Sequence, residues 1–307
     1  MRNPGRAILF IIFLMFGEYV MAQDPKLPGA NLGFSNMGAG RWNPPGWYYG
    51  QYLQVSSNTS THDESGEPVP GPKLTSIFSL QQIIFVSKLT VLNGNVGFNG
   101  VLPLSVTTGS QDQSVTVNPN PLGDIAFGPF LEWQDEKLLG VDLFYRFGVN
   151  VIFPTGSFKE RFDINPGSHR YRIFPNFQFT VVPLEKLAIS VKQNLYFYSR
   201  EIGSPKKSAA AYNLNYALEY TLAKGVVVEA AGYYLNQLSQ DSYNGDRSYY
   251  KNNDGIADTR ERIFGMGPGL GYTTLSKLSL ELKTMWETGA KNRTQGFRTT
   301  LVLACPL

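Results

Sequence analysis

Alternation of apolar and polar residues with a period of two is the feature that most restricts the fold of this chain. It is clearest from Tyr212 to Leu222, where every even position is Tyr or Leu and the odd positions are Asn, Ala, Glu and Thr. Successive side chains of a β-strand point to opposite faces, so the segment predicts a strand with one apolar and one polar face. The pattern recurs in 139–151, 171–181, 187–198 and 278–287, and more weakly in 47–56, 75–87, 95–106, 124–133, 226–238, 261–272 and 296–304. About twelve strands are predicted.

The lengths of the connections distinguish between two all-β architectures, because a soluble β-sandwich also alternates. Short polar turns at 134–137, 183–186, 223–225 and 274–277 alternate with connections that are mostly longer, at 58–73, 107–121, 155–170, 201–207, 241–260 and 289–295. An up-and-down membrane barrel has short periplasmic turns and long external loops. The sequence therefore predicts an all-β fold, a closed antiparallel up-and-down transmembrane β-barrel of about 12 strands with short periplasmic turns and long extracellular loops.

Composition supports a membrane barrel and argues against a nucleic-acid-binding protein. Charged residues make up 17% of the chain, which also contains 17 Tyr and 20 Phe. Soluble domains carry about 25% charged residues. The net charge of +3 is too small, and too evenly spread, to indicate nucleic acid as a partner. The predicted partner on the outside of the barrel is outer-membrane lipid.

The first 22 residues predict a secretory signal peptide. Arg2 and Arg6 precede an apolar run from Ala7 to Phe16, and small residues end the segment at Ala22. The chain is therefore expected to be exported to the bacterial outer membrane. Residues 23–46 are rich in Gly, Asn and Pro and predict an irregular N-terminal arm before the barrel at 47–307. This arm could fold into the barrel as a plug or remain a loose periplasmic tail.

Several short motifs resemble one family in their order and spacing. The segment Asn120-Pro-Leu-Gly-Asp-Ile-Ala-Phe-Gly-Pro129 resembles the Gly-Asp-Ile-x-x-Gly-Pro signature of the outer-membrane transporters grouped as the MetA-pathway of phenol degradation family. Further similar motifs are Phe153-Pro-Thr-Gly-Ser-Phe158, Gly232-Tyr-Tyr-Leu-Asn-Gln-Leu238 followed by Asp241, Gly267-Pro268 with Tyr272, and Lys291-Asn292-Arg293 with Gly296. The resemblance implies a barrel of about twelve strands, prolines within strands, and transport of hydrophobic or aromatic molecules.

Charged side chains on the polar positions of the strands are the candidate lumen-lining residues. They are Asp124, Glu132, Asp142, Arg146, Arg172, Lys192, Glu219, Glu229, Glu281, Lys283, Glu287 and Arg298. If the apolar positions face lipid, these residues face the lumen, where charges of both signs could line a wet pore and bias permeation. The alternative is a network of paired charges that braces the barrel wall, and the two roles are compatible.

The sequence predicts no enzyme, no cofactor and no metal site. Its two histidines, His62 and His169, fall in predicted external loops. Asp63 and Ser65 lie near His62 in the sequence, but such residues are common in loops and do not by themselves indicate a catalytic triad. Asn252 to Asp258 lacks the carboxylate spacing of a calcium loop, and the single Cys305 excludes an internal disulfide.

The predicted function is passive uptake of a small hydrophobic or aromatic solute. The rival hypothesis is a structural or adhesive surface barrel with an occluded lumen. No oligomeric state is predicted.

Overall fold

Twelve long antiparallel strands form a sheet that closes on itself in this computed structural model, which describes residues 30–41, 44–109 and 115–307. The barrel strands are β1 (Gly46–His62), β3 (Leu74–Val91), β4 (Gly94–Gly109), β5 (Ala126–Leu138), β6 (Val141–Ile152), β7 (Arg172–Leu184), β8 (Leu187–Tyr198), β10 (Ala211–Ala223), β11 (Val226–Gln237), β13 (Arg262–Thr273), β14 (Ser279–Lys291) and β15 (Arg293–Pro306). Pairing of β15 with β1 closes the barrel. The predicted fold class and strand number are confirmed. The predicted signal peptide, 1–22, lies outside the described residues.

Minor elements lie outside the barrel wall in the connections. The short strand β2 (Pro68–Val69) pairs with the end of β1, and β9 (Lys206–Lys207) pairs with β12 (Ser242–Tyr243). The helix α1 (Tyr249–Asp254) lies in the connection between β11 and β13. Among the described residues, no helix is both long and apolar enough to cross a membrane.

Short turns and long loops lie at opposite ends of the barrel. At one end the strands are joined through residues 92–93, 139–140, 185–186, 224–225 and 274–278. At the other end the connections are mostly much longer, as predicted, except that β14 and β15 are joined through Asn292 alone. The predicted loop at 289–295 and the predicted turn at 134–137 are therefore wrong in extent, because the strands continue through them. The short-turn end is the periplasmic end of such barrels.

Pro129, Pro175 and Pro268 interrupt the pairing within strands without changing its register. In β5, pairing with β6 joins Phe127 to Val151 and Phe130 to Gly148 but skips the positions around Pro129. Equivalent interruptions occur at Pro175 between β7 and β8 and at Pro268 between β13 and β14. Proline has no N–H to donate to the ladder, which accounts for the missing pairs. The predicted strand assignments at these prolines are correct, and no bulge is needed to accommodate them.

The barrel is apolar outside and polar inside. On β10 the outward side chains of Leu218 and Leu222 are about half exposed, whereas the inward side chains of Asn213 and Asn215 are completely buried. Because lipid offers no partners to polar groups, a membrane-spanning barrel keeps its apolar face outward. The outward apolar face is the surface that contacts lipid.

Candidate functional site

Residues 30–41 of the N-terminal arm lie against the inner wall of the barrel. Four of their backbone N–H groups donate to side chains of the wall, from Asn31 to Tyr196 Oη (3.1 Å), Gly33 to Asn215 Oδ1 (2.9 Å), Gly38 to Glu219 Oε1 (2.8 Å) and Gly40 to Thr180 Oγ1 (3.1 Å). An irregular segment inside a barrel must find such partners, because buried backbone groups are costly when unpaired. The polar wall positions supply them over the whole length of the segment.

Asn36 and Lys283 form an almost completely buried polar contact between arm and wall. The Lys283 Nζ donates to Asn36 Oδ1 at 2.8 Å, and also lies close to Glu281. The Asn36 amide donates in turn to the backbone carbonyls of Tyr216 (3.1 Å) and Gly232 (2.8 Å). Both Asn36 and Lys283 are only 1% exposed. One arm side chain therefore contacts three strands of the wall.

Glu219 binds the arm nearer the periplasmic end. Its carboxylate accepts from the Gly38 N–H and lies 3.2 Å from the Arg41 guanidinium. The Ser190 hydroxyl of the neighbouring strand donates to the same carboxylate. Charge-assisted hydrogen bonds of this kind are stronger than neutral ones. Glu219 thus links the arm to two strands.

Two glycines allow the arm to approach the wall more closely than any other residue could. A Cβ at Gly40 would lie 2.3 Å from the Cα of Phe179, which is backbone and cannot move aside. Gly33 has a φ of +74°, and a Cβ there would lie 2.8 Å from Met285 Sδ. Glycine adopts such a φ without the strain that a side chain brings. The close fit depends on these two positions.

Apolar side chains of the arm fill a small core on the inner wall. Leu32 is fully buried in a cluster with Tyr233, Met285 and Ile263. Phe34 packs edge-on against Phe78 on the opposite side, with ring centroids 6.3 Å apart. Apolar burial and hydrogen bonds together hold the arm in the lumen.

A cavity of about 1450 Å³ lies above the arm, in the external half of the lumen. Its floor includes Ala30, Asn31, Phe34 and Ser35 of the arm. Aromatic rings contribute much of the wall, from Tyr52, Phe78, Phe158, Phe162, Phe174, Tyr196 and Tyr198. Polar and charged side chains are interleaved with them, including Gln82, Asn99, Asn150, Arg172, Lys192 and Asn194. The lining therefore combines aromatic surface with hydrogen-bonding and charged groups.

Asp124 joins the external loops at the mouth of the cavity. Its Oδ1 accepts from the Gly156 N–H at 2.9 Å, and its Oδ2 accepts from the N–H and hydroxyl of Ser168 at 2.8 and 2.6 Å. A Cβ at Gly156 would lie 2.7 Å from the carbonyl carbon of Gly123. The Gly-Asp and Pro-x-Gly motifs noted in the sequence therefore meet here, where they hold loop 153–171 against the segment before β5.

A second carboxylate fixes the same loop to residues 115–118. Asp163 Oδ2 accepts from the backbone N–H of Thr116 at 2.6 Å and from its hydroxyl at 2.7 Å. These hydrogen bonds stabilise the carboxylate and hold the pKa of Asp163 below its usual range. Beneath them Val115 and Ile164 pack against Leu74 of β3. The loop is therefore folded over the barrel mouth rather than extended away from it.

Buried ion pairs join neighbouring strands on the inner face of the wall. Arg298 Nε lies 2.8 Å from Glu287 Oε1, which also accepts from the Tyr233 hydroxyl at 2.5 Å. Arg146 pairs with Glu132 on the neighbouring strand, and its guanidinium lies 4.1 Å from the centre of the Phe130 ring. A buried charge is tolerated when it is paired and hydrogen-bonded.

The twelve sequence-predicted lumen residues occupy different environments. Eight are buried: Asp124, Glu132, Arg146, Glu219, Glu229, Lys283, Glu287 and Arg298. Arg172, Lys192 and Glu281 are partly exposed on the same face. Asp142 differs, because it lies next to the 139–140 turn, where it is 54% exposed and pairs with Lys137. Asp142 occupies a polar position of the alternation, but it lies so near the end of β6 that the wall does not bury its side chain.

Sequence reasoning did not single out the uncharged residues that hold the arm. Asn213, Asn215 and Gln54 are all completely buried on the inner face. Gln54 donates to the Leu32 carbonyl at 3.0 Å, and Asn215 accepts from Gly33. The alternation could have identified these three residues, because they occupy the same inward-facing strand positions as the charged candidates.

The two histidines form no catalytic arrangement among the described residues. His62 ends β1 and contacts the Ser60 hydroxyl and the Gly66 carbonyl at 3.0 and 2.9 Å. His169 stacks on Phe158 with ring centroids 4.5 Å apart. Within the same described ranges, no three His, Cys, Asp or Glu side chains cluster as metal ligands do.

Comparison with known proteins identifies the family and the fold. Residues 32–302 match the family model described as "Putative MetA-pathway of phenol degradation". The structure is similar to the COG4313 outer membrane channel from Pseudomonas putida F1, with a TM-score of 0.76 at 17% identity, over 89% of this chain and 100% of that one. None of the curated proteins matches the chain.

More distant barrels are similar in outline only. The translocator domain of the autotransporter NalP from Neisseria meningitidis has a TM-score of 0.44 at 10% identity, over 87% of this chain and 91% of that one. A KdgM porin has a TM-score of 0.42 at 10% identity, over 85% of this chain and 99% of that one.

The fold and its outward apolar face place the protein in the bacterial outer membrane.

Proposed function

Because the chain belongs to the MetA-pathway of phenol degradation family, we propose that it is an outer-membrane channel for passive passage of small hydrophobic or aromatic compounds. The COG4313 protein that it resembles is itself described as an outer membrane channel. The observation that carries the proposal is the cavity of about 1450 Å³ that lies beneath the external loops. A cavity of this size can hold a small aromatic molecule with its surrounding water.

We propose further that residues 30–41 act as a plug that interrupts the path below the cavity. The arm supplies the cavity floor through Phe34 and Ser35, and it is bound below that floor by Lys283 and Glu219. A solute entering from outside meets the arm before it reaches the periplasm. Passage therefore requires the arm to shift, which makes it the gate of the channel.

The charged lumen residues have two roles in this proposal. Pairs such as Arg298 with Glu287 brace the wall. The same charges set the electric field through which a solute passes, because charges lining a narrow pore bias what permeates. No bond of the solute is made or broken, so the protein acts without catalysis.

Solute flux into liposomes tests the proposal directly. Liposomes that contain purified full-length protein or a variant lacking residues 24–41 are compared for swelling in a small aromatic solute such as benzyl alcohol, and both proteins are compared for conductance in planar bilayers. Benzyl alcohol also crosses lipid unaided, so flux is measured as the excess over protein-free liposomes. We expect slow flux with the full chain and faster flux and higher conductance without the arm. Absence of flux and of conductance in both proteins, with the barrel folded, would refute transport.

The rival function is a structural or adhesive surface barrel whose lumen stays occluded. The number of hydrogen bonds between arm and wall favours it, since each must break before the arm moves. The two functions differ in one outcome. A structural barrel gives flux only when the arm has been deleted, whereas a gated channel gives measurable flux with the arm present.

A further inference from the structure

Lys192 is a lysine on the cavity floor whose charge the described part of the chain does not neutralise. It lies on β8, and its Nζ donates to the Ser35 hydroxyl of the arm at 3.2 Å. Its cross-strand partners are Gln178 on β7 and Asn215 on β10, which are both uncharged. Among the described residues, no carboxylate lies within ion-pairing distance of Lys192. A hydroxyl satisfies one of the three donors of an ammonium and none of its charge.

The arginines of the same cavity differ from Lys192 because each has a carboxylate partner. Arg170 lies 2.8 Å from Glu201, Arg172 lies 3.4 Å from Asp124, and Arg293 lies 3.5 Å from Glu261. A partly buried cation without a counter-charge is costly. The other two lysines that line the cavity, Lys73 and Lys206, are exposed, so water already solvates their charges. An anion that enters the cavity would therefore gain most at Lys192.

Aromatic rings line the same cavity as this cation. Phe34 precedes Ser35 in the arm and also lines the floor. Tyr196 lies on the same face of β8, four residues from Lys192, or about 13 Å along the strand. Its ring contacts that of Phe174, with centroids 5.0 Å apart. The floor thus offers one cation and, above it, aromatic surfaces that can pack on a planar ring.

We propose that the cavity is a binding site for a small aromatic anion, whose charged group pairs with Lys192 and whose ring packs among Phe34, Phe174 and Tyr196. This inference rests on the proposed channel function and narrows its solute class from aromatic compounds in general to those with one anionic group. A carboxylate is a stronger acceptor for an ammonium than a hydroxyl is. The bound anion therefore displaces Ser35 from Lys192 and weakens one contact between arm and wall.

Calorimetric titration of purified full-length protein in a non-ionic detergent tests the site. Benzoate is the anionic probe, benzyl alcohol is its neutral counterpart, and acetate is the anion without a ring. We expect saturable benzoate binding at least tenfold tighter than that of either other probe. Equal affinity for benzoate and benzyl alcohol, or equal affinity for benzoate and acetate, would overturn the proposal.

Variants assign the binding to particular side chains. Lys192→Met should weaken benzoate binding at least tenfold and leave benzyl alcohol unchanged, whereas Ser35→Ala should tighten benzoate binding about two- to fivefold by removing the competing acceptor. The matched control is Lys137→Met, which removes a lysine near the periplasmic turns that pairs with Asp142. If the Met variant does not fold, Lys192→Gln removes the charge but keeps a polar side chain, and it should weaken benzoate binding to a similar degree. Wild-type benzoate affinity in Lys192→Met contradicts the assignment.

Flux measurements separate failure of this inference from failure of the channel proposal. Flux of benzyl alcohol without preferential benzoate binding would reject the anion site and keep the channel. Benzoate binding that depends on Lys192, without flux of either solute, would keep the site and reject the channel.

Discussion

The Lys283 ammonium of the barrel wall lies 2.8 Å from Asn36 Oδ1 of the arm, and both residues are almost completely buried. Lys283 is more than 240 residues from Asn36 in the chain. The contact therefore exists only when the barrel is closed and the arm is inside it. Its strength bears directly on how often the arm leaves the lumen.

Asn36→Leu should release the arm more often. The variant has nearly the same volume but loses the hydrogen bond to Lys283 and the two donated to the wall carbonyls. Loss of hydrogen bonds to a charged group costs about 1.5–3 kcal/mol, which increases the open fraction roughly ten- to hundredfold. Planar-bilayer conductance should show longer or more frequent openings. Asn253→Leu, on the exposed helix α1, is the control and should behave like wild type.

Gly40→Val should displace the lower part of the arm. Any Cβ at this position lies within 2.5 Å of three backbone atoms of Phe179 and Thr180, so the arm cannot keep its position. We expect faster solute flux, close to that of the arm deletion. The control is Gly100→Ala, because its new Cβ would make only an ordinary 3.8 Å contact with Phe127. Unchanged flux in Gly40→Val would show that this segment does not limit passage.

Asp124→Asn should loosen loop 153–171 over the cavity mouth. An amide presents an NH2 group in place of one oxygen, and that group faces the donors of Gly156 or Ser168. An unmatched buried hydrogen bond costs about 1–3 kcal/mol. Lys159 and Arg161 of the loop are exposed, so limited trypsin digestion of folded protein should cleave there faster than in wild type. Asp142→Asn, at the opposite end of the barrel, should leave the cleavage rate unchanged.

Arg298→Met should destabilise the whole barrel. It leaves the Glu287 carboxylate buried without its cation, which typically costs about 3–5 kcal/mol. The double variant Arg298→Met with Glu287→Gln should recover part of that loss, because no charge is then left unpaired. Urea unfolding followed by gel mobility measures both. Lys137→Met breaks an exposed pair and should cost only about 0–1 kcal/mol. A loss in Arg298→Met no larger than this control would contradict the bracing role.

The alternation of side chains was sufficient to predict the barrel, because a strand in lipid must separate its two faces. It put Leu218 and Glu219 on opposite faces of β10, and in the structure Leu218 is about half exposed and Glu219 is buried. It could not predict where the strands end. Asp142 shows this, because it keeps a polar position in the alternation but lies so near a turn that the barrel wall does not bury its side chain. The family resemblance, in turn, made strand prolines such as Pro129 expected.

The position of the arm could not be predicted from its own sequence. Its glycines and asparagines show no periodicity, and they suit a disordered tail as well as close packing. What determines the position of Gly33 and Asn36 is the set of partners on strands 180 or more residues later. Lys192 was predicted to face the lumen, but its lack of a carboxylate partner within the described ranges depends on which strands become neighbours.

The arm is continuous with β1, and β1 is one of the two strands that meet when the barrel closes. This connection constrains the order of events during biogenesis. If β1 joined β15 first, the arm could enter only by threading upward through an already sealed cylinder, past Glu219 and Lys283. Enclosing the arm while the last strand is added avoids that step.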